Sequence, residues 1–172
     1  MLLKIKKLFF EQIVFICNIQ KNHKLIELKM NNYKLEIRKI KVEEYQELRK
    51  TTGWNLIEDE IVKIALENNL FSVCVFDGDK LIGMGRVIGD GAIYFYIQDI
   101  IVLPEYQGKG VGKLIMNNIE LFLNKAANNN SFIGLMAAKD VKEFYNKFGY
   151  NERPENRPGM YKTIVKNKNF LI

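Results

Sequence analysis

Apolar and polar residues alternate through YKLEIRKI, Tyr33 to Ile40, the period of a strand with one buried face. The period then lengthens. Val42–Lys50 and Glu58–Asn68 carry helical spacing, with Ile57, Ile61, Ile64 and Ala65 set on one face of the second helix. TTGWN, Thr51 to Asn55, breaks the pattern as a loop. From Phe71 to Val102 the chain reads as three consecutive strands, punctuated by the turns Asp77–Asp79 (DGD) and Gly89–Gly91 (GDG). The third of these strands, Ala92–Val102, is long. Lys109–Ala127 is again helical, with Val111, Leu114, Ile115, Ile119 and Phe122 facing inward. SFIGLMAA, Ser131 to Ala138, predicts a buried strand. Asp140 stands where it can cap a short helix over Val141–Lys147. MYKTIVK, Met160 to Lys166, predicts a last strand. The order β-α-α-β-β-β-α-β-α-β predicts a mixed α/β domain.

One stretch does not fit a plain reading of elements. Between the long strand and the following helix stand Gly108, Gly110 and Gly112, three glycines in five residues. Each costs up to about 1 kcal/mol relative to alanine in a helix. A helix start carries unpaired backbone N–H groups and the positive end of the helix dipole. Bare backbone there lets an anion reach those donors, which is how phosphates are bound. The spacing is not that of a P-loop, because Leu114 follows Lys113 and no magnesium-binding hydroxyl is placed. Nor does it fit a dinucleotide fold, because the strand is entered from antiparallel neighbours and no downstream acid suits a ribose.

Composition narrows the chemistry further. The formal charge is +6, but residues 1–29 hold six lysines against two glutamates, so only +2 belongs to residues 30–172. Such a balance gives no nucleic-acid footprint. Two cysteines, Cys17 and Cys74, are far apart, and His23 is the only histidine, so no metal site of usual spacing can be assembled. Cys74 reads as a core residue on a strand. The segment 1–29 begins basic and apolar, but Glu11 and Gln12 interrupt it and no small-residue cleavage site follows. It is too short and broken to span a membrane. Two readings stand: an extension outside the fold, with the domain running 30–172 from Met30, or an amphipathic helix that caps the domain or a partner.

The string Gln107-Gly108-Lys109-Gly110-Val111-Gly112, preceded by IIVLPEY and followed by an amphipathic helix, resembles motif A of the GNAT superfamily of acetyl-CoA-dependent N-acetyltransferases. Element order extends the resemblance over Tyr33–Lys166. It implies a mixed, mainly antiparallel central sheet flanked by helices and splayed at the strand before the glycine loop. It also implies that Gln107, Gly108, Lys109, Gly110, Val111 and Gly112 wrap the pyrophosphate of CoA. The backbone of Ile100, Ile101 and Val102 would pair with the pantetheine arm, and an N–H near Ile101 would polarise the thioester carbonyl. DVKEFYNKFGY, Asp140 to Tyr150, resembles the family's short helix ending in F-Y-x-K-x-G-F/Y. That match implies Tyr145 as the acid that protonates the departing thiolate. The family's asparagine seven residues before this tyrosine is Ala138 here; the neighbouring Lys139 is a candidate for a CoA phosphate.

On the acceptor side the resemblance nominates Trp54, the only tryptophan, with Arg86, Tyr94, Tyr96 and Asp99. No base is assigned for the amine. Asp99 is the nearest carboxylate, yet strand alternation sets it opposite Tyr96, Gln98 and Ile100 unless a bulge intervenes. RPENRPGMY, Arg153 to Tyr161, is similar to a segment of a group that includes enzymes acting on small arylalkylamines. The reading is a cytoplasmic bacterial acetyltransferase moving acetyl from acetyl-CoA directly to a primary amine, with no metal, nucleic acid or membrane partner. A small-molecule acceptor is favoured; a protein or peptide amine and a non-catalytic acyl-CoA sensor are the alternatives. Family members often dimerise, which leaves a homodimer open.

Overall fold

The computed structural model describes residues 33–164. They divide into two compact units, 33–135 and 136–164. The first holds β1 (Lys34–Ile37), α1 (Val42–Lys50), α2 (Asp59–Glu67), β2 (Phe71–Asp77), β3 (Lys80–Gly89), β4 (Tyr94–Val102), a 3-10 turn (Pro104–Tyr106), α3 (Val111–Ala126) and β5 (Phe132–Leu135). The five strands form one sheet in sequence order. Every pairing is antiparallel except β4–β5, which is parallel. The sheet is therefore mixed, mainly antiparallel and helix-flanked, as the resemblance implies.

Each face of the sheet has its own core. On one, Tyr45 and Leu48 of α1 and Val62 and Leu66 of α2 pack with Ile40, Cys74, Phe76, Met84 and Ile101. On the other, Val111, Ile115 and Ile119 of α3 lie over the middle of β3. Glycine brings α3 that close: a Cβ on Gly85 would stand 2.5 Å from Ile115 and 2.6 Å from Ile100. Fully burying aliphatic side chains of this size contributes about 1.5–3 kcal/mol each. The charge pattern also supports α1, whose Lys41 N–H donates to Glu44 Oε2 at 3.0 Å at the helix start. Arg38 Nη2 donates to Oε1 of the same carboxylate at 2.7 Å. Burial alone would raise the Glu44 carboxyl, but these donors hold it below its usual range.

Several elements depart from the pattern reading. In α2 the buried side chains are Val62 and Leu66, whereas Ile61 and Ile64 are 54% and 57% exposed. Ala65 is exposed too, and only Ile57 of the expected face packs on the core. The helix carries two overlapping apolar stripes, and contact with the sheet selects one. β4 begins at Tyr94 rather than Ala92 because Asp90 Oδ1 takes the N–H groups of Ala92, Ile93 and Tyr94. Phe122 is half-buried, stacked on Phe71 at 4.7 Å. Only Phe132–Leu135 of SFIGLMAA form a strand, and it is not fully buried, with Phe132 42% exposed at the sheet edge.

The second unit contains α4 (Lys142–Asn146). Asp140 does not cap it: its φ is 64° and the residue before the helix is Val141, with no side-chain cap. The expected last strand is absent at Met160–Ile164, which are irregular and exposed, while Val165 and Lys166 lie outside the described residues. Alternating residues become a strand only where a ladder partner takes their backbone groups. Segment 1–29 also lies outside the described residues.

Candidate functional site

The glycine loop has a structural reason for two of its glycines. Gly108 has φ 71° and Gly110 has φ 86°, a left-handed conformation that side chains rarely adopt. Gly110 is the residue before α3, and its carbonyl accepts the first helical bond, from Leu114 N–H at 3.0 Å. Gly112 lies within the first turn. The N–H groups of Val111, Gly112 and Lys113 open the helix, where nothing within it can accept from them. Gln107 Nε2 donates to the Val102 carbonyl at 3.2 Å, tying the loop to the end of β4. Tyr106 Oη donates to Asp77 at 2.9 Å, and Lys109 Nζ lies 5.2 Å from the Tyr106 ring centre. The helix-start N–H groups thus follow directly on the loop that carries Lys109.

That strand end is open on one side. β5 pairs with β4 only over Tyr94–Ile97, so Gln98–Val102 hydrogen-bond to β3 and, among the described residues, have no strand on their other edge. Ile100, Ile101 and Val102 lie on this open segment.

The bulge on which the placement of Asp99 depended is also present. Pairing passes from Met84↔Ile101 to Arg86↔Gln98, so two residues of β4 face one of β3. Asp99 sits in this bulge with φ 54°. Its side chain joins the face of Gln98 and Ile101 instead of the opposite one. There it is buried and engaged from three sides. Arg86 Nε donates to Asp99 Oδ2 at 2.6 Å, Tyr45 Oη donates to the same oxygen at 3.1 Å, and Gln98 Nε2 donates to Oδ1 at 3.0 Å. Arg86 is completed by Asn69 Oδ1 at 2.7 Å and the Ala65 carbonyl at 3.3 Å. Sequence reasoning nominated Arg86 and Asp99 separately and did not pair them, and it missed Tyr45. Only the register of β3 against β4 brings them together.

Tyr96 lies on this face beside Gly134 of β5, and its hydroxyl is buried with no partner among the described residues. Burial raises its phenol above the ordinary value. Tyr94 is 60% exposed, at the strand's edge, with its ring centre 6.3 Å from that of Phe132. Trp54 is 42% exposed and lies over the Arg49 guanidinium at 5.2 Å.

In the second unit Tyr145 is half-buried on α4, edge-on to Phe144 at 5.1 Å. Phe144 also packs edge-on to Phe148 at 5.4 Å. Burial raises the Tyr145 phenol above its ordinary value. Lys139 is exposed. Among the described residues there is no cluster of three metal-ligating side chains, and no helix is long and apolar enough to cross a membrane.

The mixed, mainly antiparallel sheet carries a glycine-rich helix start just beyond the end of β4. Residues 39–160 match the family model described as an acetyltransferase (GNAT) domain, so the chain belongs to the GNAT family and is an N-acetyltransferase. It is 30% identical over 168 residues to an uncharacterized N-acetyltransferase, ycf52, of Pyropia yezoensis, covering 90% of this chain and 95% of that one. A solved probable acetyltransferase of Staphylococcus aureus is 36% identical, with a TM-score of 0.72, over 77% of this chain and 99% of the other. The aminoglycoside N-acetyltransferase AAC(6')-Iy, solved with CoA, shares the fold alone. It has a TM-score of 0.56 and 18% identity over 77% of this chain and 97% of its own.

Proposed function

We propose that this N-acetyltransferase takes its acetyl group from acetyl-CoA and delivers it directly to the primary amine of a small molecule. The observation that carries the cofactor is the left-handed pair Gly108 and Gly110 at the start of α3, set beside the open segment of β4. Those positions fit a pyrophosphate: the backbone donors are bare, and a Cβ on Gly108 would project into open space. Gln107 to Gly112 would hold the pyrophosphate and the backbone of Ile100–Val102 the pantetheine arm. Lys139 is a candidate for a further phosphate. Bound acetyl-CoA supplies an activated thioester whose sulfur needs a proton as it departs.

The chain's own groups answer that chemistry. Tyr145 carries its proton at neutral pH as any tyrosine does, burial moves the phenol further up, and it is the donor we assign. The N–H near Ile101 is the donor for the developing oxyanion. Tyr94 and Trp54, both partly exposed, and the ring of Tyr96 are assigned to the acceptor side. Asp99, buried under three donors, is a positioning residue that holds the bulge open, as is Arg86.

Titration calorimetry with acetyl-CoA tests the cradle. Gly110→Asn is the useful variant, because asparagine tolerates the left-handed backbone and adds a side chain over the donors. Wild-type protein should bind, and a variant with an unchanged melting curve should bind at least tenfold more weakly. No binding to wild type would overturn the proposal.

A further inference from the structure

We infer that the acceptor amine carries an acidic group, a carboxylate or a phosphate, and that Arg49 captures it; this rests on the small-molecule reading above. Arg49 belongs to the last turn of α1, where the negative end of the helix favours a cation. The loop that follows folds back over it. Thr51 and Thr52 hydroxyls donate to the Leu48 and Arg49 carbonyls at 2.7 Å, and Gly53, at φ 73°, reverses the chain. The reversal lays Trp54 on one side of the guanidinium and Tyr45 on another, at 5.2 and 5.8 Å. Arg49 Nε donates to the Asn55 carbonyl at 2.9 Å, and Nη1 donates to Tyr45 Oη at 3.0 Å. A guanidinium has five N–H donors, so three remain.

Among the described residues no carboxylate lies within ion-pair distance of Arg49. The charge count around it is lopsided. Arg49, Tyr45, Asp99 and Arg86 form one hydrogen-bonded chain, with two guanidinium groups and one carboxylate. Asp99 is matched by Arg86, which leaves Arg49 as the uncompensated cation. The chain ends in the β4 bulge, on the face that carries Tyr96 and Gln98. Arg49 is rigidly held, half-buried and backed by an indole that is 42% exposed. This geometry suits two-point hydrogen bonding to a carboxylate or phosphate. It disfavours polycationic acceptors, which would meet an unpaired positive charge.

Trp54 is the only tryptophan in the chain and touches the proposed site, so its fluorescence reports occupancy without turnover. Protein saturated with CoA is titrated with β-alanine, O-phosphoethanolamine and their uncharged-tail counterpart ethanolamine. The first two separate carboxylate from phosphate, and acetyl transfer to each is measured in parallel with acetyl-CoA. At least one acidic amine should give a saturable emission change at tenfold lower concentration than ethanolamine, with a matching preference in kcat/KM. Arg49→Gln should lose that preference while still binding acetyl-CoA. Equal or better response to ethanolamine, or a preference that survives Arg49→Gln, overturns the inference. An acetyl-CoA titration that shows no binding would instead sink the acetyltransfer reading, and the Arg49-dependent preference is then read from Trp54 emission in protein without CoA.

Discussion

Replacing Asp99 by asparagine removes one charge from the middle of the fold and little else. Asparagine has the same shape and accepts a φ of 54°, so backbone strain is not added. Arg86 would keep Asn69 and the Ala65 carbonyl as neutral acceptors but lose its anion. The pair is well buried, with side-chain exposures of 9% for Arg86 and 1% for Asp99. Breaking a buried pair from one side typically costs about 3–5 kcal/mol. The acceptors left to Arg86 place this case at the low end, about 3 kcal/mol. In a chain of 172 residues that lowers the melting temperature by about 6–12 °C. Arg86→Met should cost a similar amount, since Asp99 would retain only Tyr45 and Gln98. The double variant should cost at least about 2 kcal/mol less than the two added together, because neither charge is then stranded. Urea unfolding followed by circular dichroism measures all four proteins. A change within about 0.5 kcal/mol for Asp99→Asn, or simple additivity, would refute the view that this pair locks the bulge.

Further expectations concerning Tyr145 and Cys74 are accessible to simple assays. Tyr145→Phe should lower kcat by about 10²-fold or more while leaving acetyl-CoA affinity within about twofold. Since burial holds the phenol above its ordinary value, the wild-type rate should not fall through tyrosine ionisation below about pH 10. Full activity in Tyr145→Phe would remove this residue from the chemistry, and acetyl-CoA binding without turnover on any amine would favour a sensor. Cys74 is pushed up to about 12 by burial, from an ordinary 9.0. A raised thiol favours the folded state below the ordinary value, so that contribution is lost as pH climbs from about 9 toward 12. Peptide mapping after iodoacetamide at pH 8 should find Cys74 unlabelled until urea unfolds the protein; comparable labelling without urea would contradict its burial.

Much of this protein is legible in the order of its residues, for local reasons. Period-two and helical spacing depend on neighbours along the chain, so β2, β3, β4, α1 and α3 emerge from pattern alone. The helix-start glycines were legible because left-handed backbone and bare donors leave a compositional mark, and Cys74 because it stands in an unbroken apolar strand. Other features depend on partners far away in sequence. The apolar stripe that α2 buries was decided by the sheet beneath it, through Val62 and Leu66 rather than Ile61 and Ile64. A bulge is a mismatch between two strands, so neither β3 nor β4 announces it. It alone turns Asp99 onto the face of Arg86 and Tyr45. The cation on Arg49 is likewise visible in the sequence, but that no described residue supplies its counter-ion is a property of everything folded around it.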